Sequence, residues 1–375
     1  MIGRNDRNKK MDKIYIAFCM SGLEGGVSGV IFNYFDHMPR ENYEIDIISQ
    51  GEAKQLYIEK CESRGFHIHM VPSKKESFWG NIKALYNLMH EKKYHIVHAH
   101  MTLTNCFPLC VALICGIKVR ISHSHLAGYH TISSRILAFL SKIVATDYFA
   151  CGQDAGKFLF GNAPFIELKN AIDLQEYRCN EDMREQERTN LGIGLNEKVI
   201  GHIGRFTRQK NHDFLIDIFE CVHSKMPNTK LMLIGDGELE KSIKEKVCTK
   251  GLINSVIFCG AIGDVSCKLQ AMDLCLFPSL LEGLPLAVIE AQAAGIPCVL
   301  SDRISKEVCH SKNVRFESLE RGANEWSKVC LALIEGEKCD NLPQLRNAGY
   351  DITAEAEKLD KFYRKKLKCK LLNGE

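Results

Sequence analysis

The hydrophobic and polar residues in the first half of the chain alternate between two patterns. Short apolar runs rich in β-branched residues predict strands, and longer stretches with apolar residues at helical spacing lie between them. The predicted strands are KIYIAFCM, YEIDIIS, FHIHMV, HIVHAH, VRISH and DYFAC, and the clearest predicted helices are SFWGNIKALYNLMHEKK and SSRILAFLSKIVA. Strands that alternate with helices indicate parallel β-α-β units.

The same alternation begins again after residue 194. The predicted strands are KVIGHIG, TKLMLIG, SVIFCG, LCLFPS and PCVLSD, and the predicted helices are DFLIDIFECVHSKM, ELEKSIKEKVCTK, PLAVIEAQAAG and a basic last helix, TAEAEKLDKFYRKKLKCKLL. The polar stretch 168–194 loses the apolar period, and we interpret it as a linker. The pattern predicts an α/β protein with two doubly wound domains facing across a cleft. Ligands in such sheets bind beyond the carboxyl ends of the strands.

Composition narrows the class of protein. The chain has 375 residues, 45% hydrophobic and 25% charged, with a net charge of +3. These values fit a globular protein of two domains and give no strong attraction to nucleic acid. The seventeen cysteines form no CxxC pair. We interpret them as small buried hydrophobes in a reducing cytoplasm, with a disulfide or zinc framework as the alternative.

The sequence gives no sign of insertion into a membrane. The charged segment 1–12, predicted to be disordered, has no apolar region behind it as a secretory signal requires. The longest apolar run, 106–116, is much shorter than the ~20 residues that span a bilayer. We therefore expect a cytoplasmic protein, peripheral at the inner face of the plasma membrane if it works at a membrane at all.

Two cations follow a predicted strand in GHIGRFTRQKNHDFL. The strand ends at Gly204, Arg205 comes next, and Lys210 stands just before a helix. Such a pair can hold a diphosphate, and arginine can grip it with two hydrogen bonds. The alternative is a solvated basic loop. A second loop, LIGDGELEKSI, is interpreted as an ordinary turn before a helix.

Two carboxylates stand eight positions apart in SLLEGLPLAVIEAQAAGIP. Glu282 lies in the loop after a predicted strand, where the next helix offers free N–H groups to an anion. Pro285 fits the first turn of that helix because its missing N–H is not needed there. Glu290 lies further inside, among Ala and Ile, where an unpaired carboxylate is costly. Two sugar hydroxyls could satisfy it, whereas the alternative is a paired structural glutamate.

Several of these stretches together resemble glycosyltransferase family 4, which has the GT-B fold of two Rossmann-like domains. The resemblance rests on GRFTRQKNHDFLI, LIGDGELE, PSLLEGLPLAVIEAQAAGIPCVLSD, and more weakly on GGVSGV, RISHSH, ACGQDAGKFLFG and LKNAIDLQEY. It implies an N-terminal acceptor domain at 13–171, completed by the last helix at about 355–375, and a donor domain at 172–354. Within the family, the chain most resembles enzymes of exopolysaccharide and capsule assembly.

The resemblance also implies roles for particular residues. Arg205 and Lys210 would neutralise the donor diphosphate, and Glu290 would bind the ribose hydroxyls. His123, or else His125, would approach the sugar from the N-terminal domain. The implied catalytic residues are Glu282, Arg205, Lys210 and His123, and the implied substrate-binding residues are Gly25, Gly26, Gly204, Gly283, Leu284, Pro285, Leu286 and Glu290. Pro285 replaces a glycine common in the family and cannot donate an N–H to phosphate.

The activity implied by the resemblance is a hexosyl- or N-acetylhexosaminyltransferase. It would move a sugar from a nucleotide-diphosphate sugar to an acceptor hydroxyl, with retention of configuration, on a lipid-linked saccharide. We expect no metal and no other cofactor, because the chain has no strict DxD motif and two cations can take the metal's place. His95, His98 and His100 could suggest zinc, but we interpret them as structural. The basic last helix is interpreted as a solvated face, with contact to an anionic membrane surface as the alternative hypothesis.

Three other classes of protein are considered. A nucleotide-sugar epimerase of the same fold is the main alternative to the transferase. A nicotinamide-dependent oxidoreductase is disfavoured because the loop from Gly22 to Gly29 is not GxGxxG. A non-catalytic subunit of the same fold is disfavoured because both cations and both carboxylates are present.

Overall fold

The chain divides into two compact units, each described here by itself. The computed structural model describes residues 13–23, 26–51, 53, 55–126, 128, 131–336 and 338–372. The predicted disordered segment 1–12 therefore lies outside the described residues, as do residues 373–375. Unit 1 comprises Met1–Leu168 and Ala356–Glu375, and unit 2 comprises Lys169–Glu355.

Unit 1 contains every strand and helix predicted for the first half of the chain. Its strands are β1 (Ile14–Met20), β2 (Tyr43–Gln50), β3 (His67–Val71), β4 (Ile96–Ala99), β5 (Val119–Ser124), β6 (Asp147–Ala150) and β7 (Ile166–Glu167). Its helices are α1 (Gly26–Asp36), α2 (Gln55–Glu62), α3 (Phe78–Lys92), α4 (Cys106–Ile114), α5 (Ile132–Val144), α6 (Gln153–Phe160) and, from Ala356 onwards, α14 (Ile352–Leu372). Two 3-10 turns lie at Arg40–Asn42 and Thr102–Asn105.

The strands of unit 1 form one parallel sheet in the order β3-β2-β1-β4-β5-β6-β7. The chain moves in one direction across this sheet from β3 to β6, and right-handed crossovers therefore place α3, α4 and α5 on one face. The core under that face includes Val97, Leu109 and Ala112, all fully buried. On the opposite face, α14 buries Tyr363, and the hydroxyl of Tyr43 donates to Asp360 at 2.6 Å.

Four histidines form an array, defined as His98, His100, His123 and His125, at the carboxyl end of β4 and β5. His98 Nε2 lies 3.1 Å from His123 Nδ1, and His100 Nδ1 lies 2.7 Å from His125 Nε2. Tyr363 of α14 lies 2.8 Å from His98 Nδ1. Burial, followed by neighbouring histidines, holds the pKa values of the first three well below their usual range. Potential ligand nitrogens of these three lie within 4.8 Å of one another, and among the described residues the Nε2 atoms of His100 and His123 have no hydrogen-bond partner. Because burial lowers their pKa values, we interpret these three rings as neutral.

Unit 2 contains the elements predicted for the second half, except the last helix, most of which belongs to unit 1. Its strands are β8 (Lys198–Ile203), β9 (Thr229–Ile234), β10 (Val256–Gly260), β11 (Leu274–Phe277), β12 (Cys298–Ser301) and β13 (Val314–Glu317). Its helices are α7 (Glu181–Asn190), α8 (His212–Lys225), α9 (Glu240–Thr249), α10 (Ser266–Gln270), α11 (Leu286–Ala293), α12 (Ala323–Ile334), α13 (Leu342–Asn347) and the first turn of α14, with 3-10 turns at Arg208–Lys210 and Lys306–Val308.

The interpretation of 168–194 as a linker is wrong for residues 181–190. These residues form α7, which the apolar pattern did not reveal because the helix packs through charged side chains. Arg184 Nη2 donates to Asp273 at 2.6 Å, and Arg188 is buried while bonded to the carbonyls of Ala271 and Gly194. Paired and hydrogen-bonded charges can be buried without the usual cost, so a polar helix belongs to the folded body of unit 2.

The parallel sheet of unit 2 has the order β10-β9-β8-β11-β12-β13. Its central strands are apolar on both faces, as in a sheet covered by helices on each side. Leu215, Phe219 and Trp326 lie in the same fully buried core cluster on one side of it. Because β8 lies beside β11, the loops that follow these two strands lie side by side at one edge of the sheet. Among the described residues of the chain, no helix combines the length and apolarity needed to cross a bilayer.

The histidine array predicts a loss of stability in mild acid. The folded protein holds these rings neutral, whereas the unfolded chain binds protons at a pH near 6.5. Stability is therefore present above this pH and falls as pH drops below it, by up to about 1.4 kcal/mol per pH unit for each such histidine. We expect urea unfolding to show that the free energy of unfolding falls less with decreasing pH in His123→Gln than in wild type. The exposed His90→Gln on α3 is the control and should follow wild type. An unchanged slope in His123→Gln would contradict the interpretation.

Candidate functional site

The loops after β8 and β11 are held together by hydrogen bonds at the carboxyl edge of the unit 2 sheet. Gln209 donates to the Leu281 carbonyl at 2.8 Å and accepts from the Leu280 amide, also at 2.8 Å. The Asn211 side chain donates to the Pro278 carbonyl at 3.0 Å. The two loops that carry the predicted cations and the first predicted carboxylate therefore form one connected surface.

Lys210 and Glu282 contact each other directly. Lys210 Nζ lies 2.6 Å from Glu282 Oε1, and that oxygen also accepts from the Ser279 hydroxyl at 2.7 Å. The Ser301 hydroxyl in turn donates to the Ser279 carbonyl at 2.5 Å. Both charged side chains are mostly buried, which limits screening of their attraction by water. The ion pair fixes the ammonium at the edge of the sheet, where an anionic ligand would share it with the carboxylate.

Arg205 follows Gly204 at the end of β8, and its side chain is exposed. A Cβ on Gly204 would come within 3.0 Å of the Lys210 stem, so Gly204 lets the lysine side chain lie across the strand end. The loop Gly235–Gly237, interpreted from sequence as an ordinary turn, packs directly on this segment. The φ angles of its glycines are 137° and 154°, and a Cβ there would lie within 2.6 Å of the Gly204 or Phe206 carbonyl. Side chains at these two positions would displace the loop that carries Arg205 and Lys210.

The helix predicted after Glu282 is α11, which begins at Leu286, so Pro285 is its N-cap and not part of its first turn as predicted. A proline at the N-cap still leaves the amides of the first helical residues without intrahelical acceptors, and these amides carry partial positive charge. Leu284 and Pro285 are buried, whereas Gly283 and Leu286 are half-buried. The N-terminus of α11 is therefore set next to Glu282 by a short and well-packed connection.

Glu290 lies about one turn inside α11. The Tyr177 hydroxyl donates to its Oε1 at 3.3 Å. Burial is the largest influence on this carboxyl and raises its pKa to about 7; Glu176 and Asp264 add to the rise, and the bond from Tyr177 opposes it. A carboxyl group with a pKa near 7 is partly ionised at neutral pH. Tyr177 is the side-chain donor that bonds it among the described residues, so its oxygens can accept further hydrogen bonds from ligand hydroxyls.

The predicted site residues of unit 1 differ in their exposure to solvent. His123 is buried inside the histidine array, 1% exposed, whereas His125 is half-buried at its end. Gly26 is exposed and begins α1. The predicted contact residue Gly25 lies outside the described residues.

Sequence reasoning missed the residues that hold the site in place. Tyr177 is 113 positions from its partner Glu290 and stands in the stretch interpreted as a linker. Three further residues lie within the predicted site motifs: Ser279, Gln209 and Asn211. Neither their residue types nor their spacing indicated their partners. A buried tyrosine in an otherwise polar stretch was the one available signal.

Comparison with protein-family models gives two matches. Residues 24–151 match Glycosyltransferase Family 4, and residues 197–335 match Glycosyl transferases group 1. The first match lies in unit 1, and the second covers the β8 and β11 loops together with α11. The family predicted from sequence is therefore confirmed.

Similar proteins and structures agree with these matches. The Bacillus subtilis (strain 168) glycosyltransferase EpsF is 32% identical over 307 residues, 77% of this chain and 79% of EpsF. The Escherichia coli UDP-Gal:alpha-D-GlcNAc-diphosphoundecaprenol alpha-1,3-galactosyltransferase is 24% identical over 309 residues, 78% of this chain and 79% of that protein. Anabaena HepE in complex with UDP-glucose superimposes with a TM-score of 0.74 at 18% identity, covering 95% of this chain and all of HepE. The predicted fold class, two Rossmann-like doubly wound domains of the GT-B type, is confirmed, and the chain belongs to glycosyltransferase family 4 as a glycosyltransferase.

Proposed function

We propose that this glycosyltransferase binds a nucleotide-diphosphate sugar on unit 2 and transfers the sugar to an acceptor hydroxyl, without a metal and with retention of configuration. The observation that carries the proposal is the Lys210–Glu282 pair at the carboxyl edge of the sheet, beside the N-terminus of α11. The pair, the exposed Arg205 and the helix amides offer several groups suited to a diphosphate within one connected pair of loops.

The ribose of the donor is assigned to Glu290. Its carboxylate can accept two hydroxyl hydrogen bonds, and Tyr177 holds one of its oxygens in place. Glu282 and the backbone from Gly283 to Leu286 would then face the sugar and phosphates. UDP-sugars are the first donors to test, because a relative is named for UDP-Gal and a structural neighbour is described with UDP-glucose.

The proposed reaction breaks the bond between the anomeric carbon and the diphosphate oxygen, whose electron pair leaves with the nucleotide. The acceptor oxygen forms the new bond on the same face of the sugar, and its proton passes to an oxygen of the departing diphosphate. Charge builds on the diphosphate during this step, and fixed cations aimed at it lower the barrier. Lys210 and Arg205 supply these cations, which is why no metal is needed in the proposal.

The acceptor is proposed to be a lipid-linked saccharide in exopolysaccharide or capsule assembly, used at the inner face of the plasma membrane. The support comes from the names of two relatives. One acts on a GlcNAc-diphosphoundecaprenol, and the Staphylococcus aureus protein CapH, 24% identical over 79% of this chain and 84% of its own length, is named for capsular polysaccharide biosynthesis. Of the two histidines considered for the sugar, the half-buried His125 is better placed to meet a substrate than the buried His123.

The first prediction concerns the two cations. Arg205→Ala and Lys210→Ala should each reduce transfer by about 100-fold or more, because each removes a charge that stabilises the leaving diphosphate. Transfer is measured with radiolabelled sugars across UDP-, GDP- and ADP-donors. Lys241→Ala, an exposed lysine on α9, is the matched control and should behave as wild type.

Loss of Lys210 also leaves Glu282 without its cation, which could disturb the loop. The double variant Lys210→Ala/Glu282→Gln removes that unpaired charge and should restore thermal stability without restoring transfer. Near-wild-type transfer in either single variant would overturn the assignment.

Chelation tests the metal assignment separately. Transfer in excess EDTA should proceed at the untreated rate, because the proposed counter-charges are protein side chains. A strict need for an added divalent cation would refute this part of the proposal while leaving the donor site open.

Nucleotide affinity should rise with pH through about 7, where Glu290 ionises. The folded, ligand-free state holds this proton above the usual carboxyl range, and ribose hydroxyls favour the ionised form, so binding should release a proton. Calorimetry of UDP binding in buffers of different ionisation enthalpy measures that release. Glu290→Gln should remove the Glu290 part of the pH dependence and leave only that of the terminal phosphate of UDP, whose own pKa is about 6, and Tyr177→Phe should move the Glu290 part to higher pH.

A 2′,3′-dideoxy nucleotide is the matched ligand control, since it lacks the hydroxyls and should bind with only the pH dependence of its phosphate. An equal pH dependence for both ligands would show that Glu290 does not bind the ribose.

A further inference from the structure

Helix α5 exposes its large apolar side chains. The α5 stripe, defined as Ile132, Ile136, Phe139, Leu140 and Ile143, recurs at helical spacing along one side of the helix. These five side chains are 82%, 55%, 59%, 39% and 60% exposed. A contiguous apolar stripe of this kind on a soluble domain marks an interaction surface more often than a scatter of single exposed residues does.

The other side of α5 is buried, which fixes the direction of the stripe. Ser134, Ala138, Ser141 and Val144 pack against unit 1. Thr131 accepts from the Ser134 amide at 3.1 Å, and Ser134 Oγ accepts from the Thr131 amide at 2.8 Å, so a capping box holds the first turn. The helix therefore buries small side chains and turns its large apolar ones outwards, the reverse of an ordinary surface helix.

The end of α4 extends the apolar surface. Leu113 and Ile114 are 47% and 72% exposed. The guanidinium of Arg120 donates to the Val144 carbonyl at 2.7 Å and to the Ile117 carbonyl at 2.6 Å. One arginine thus ties the end of α5 to the segment after α4, and the apolar ends of both helices belong to one face.

The segment of the chain that carries this face is basic. The stretch 78–144, which carries α3, α4 and α5, has one acidic residue, Glu91, and seven basic residues: Lys83, Lys92, Lys93, Lys118, Arg120, Arg135 and Lys142. Its formal charge is 7 − 1 = +6, against +3 for the whole chain. Two of these cations, Arg135 and Lys142, lie on α5 itself, which has no acidic residue.

We propose that the α5 stripe docks unit 1 on an anionic lipid bilayer, with the stripe among the acyl chains and the surrounding cations at the headgroups. A helix with one apolar face and basic residues beside it has the chemistry of an interfacial helix. A second copy of the chain fits less well, because face-to-face docking would bring two like-charged surfaces together. The inference extends the proposed membrane contact but does not use the donor site.

Helix α14, for which membrane contact was the alternative hypothesis from sequence, is a weaker choice. From Ile352 to Lys368 its large apolar side chains are buried or half-buried. Several of its cations already have partners: Arg364 pairs with Asp360 at 2.8 Å, Lys366 pairs with Asp147, and Lys358 donates to the Glu167 carbonyl at 2.6 Å. Several positive charges of this helix are thus already paired with groups of unit 1 and are less available to lipid headgroups.

Flotation of the full chain with vesicles tests the proposal. The vesicles contain phosphatidylcholine with or without phosphatidylglycerol, and no nucleotide is added, so the result is independent of the donor site. Wild type should float with the anionic vesicles and release in high salt. Ile136→Gln/Phe139→Gln should weaken binding by about tenfold or more, because two side chains lose their apolar contact. Arg135→Gln/Lys142→Gln should weaken it in low salt only.

Matched variants separate the stripe from other surfaces. Leu195→Gln/Ile253→Gln removes two exposed apolar side chains, 95% and 62% exposed, from unit 2 and should float as wild type. Lys365→Gln/Lys368→Gln on α14 should also retain most of the binding. Thermal unfolding and circular dichroism confirm that each variant is folded.

Three results would overturn the proposal. Wild type could fail to float with anionic vesicles in low salt, or the α5 double variant could float like wild type. Alternatively, sedimentation could show a dimer that the α5 variant alone converts to a monomer, which would make the stripe a contact between two copies of the chain.

Discussion

The contact between Lys210 and Glu282 is the constraint around which the rest of the proposed donor site is arranged. β8 and β11 are neighbours in the unit 2 sheet, so residues separated by 72 positions in the chain meet at one edge. The side-chain amide and the carbonyl of Gln209 join the two loops, and the Ser279 hydroxyl bonds the Glu282 carboxylate within the second loop. A cation held by a carboxylate at this edge is positioned before any ligand arrives, and positioned charge is what catalysis of diphosphate departure requires.

The two units differ in the kind of buried ionisable groups that they contain. Unit 2 keeps a titratable carboxylate, Glu290, near neutrality and supports it with the Tyr177 hydroxyl. Unit 1 keeps a histidine array uncharged by burial and fills its carboxyl edge with rings that bond to one another. The stretch 78–144 of unit 1, which carries the α5 stripe, has a formal charge of +6. We therefore propose that unit 2 binds its donor at one edge of its sheet and that unit 1 contacts a membrane through one helical face.

Much of the fold could be predicted from the sequence because parallel sheets covered by helices produce recognisable hydrophobic patterns. A strand such as β11, buried along its whole length, is a continuous apolar run, and the helices between the strands carry an apolar period. Helix α7 escaped prediction because its buried face is built from arginines that pair with Asp273 and with carbonyls. The ion pair was not predicted either, although both of its members were, because pairing depends on strand order, which the local pattern does not reveal. The outward stripe of α5 was hidden for the opposite reason, since periodicity identifies an apolar face without saying which way it points.

The most direct test of the account is a crystal structure of the protein with a nucleoside diphosphate bound. The account predicts that the diphosphate lies within hydrogen-bonding distance of Lys210 and Arg205, at the N-terminus of α11, with the ribose hydroxyls on Glu290. A diphosphate bound elsewhere on unit 2, with the Lys210–Glu282 pair undisturbed and Glu290 free of ribose, would contradict it.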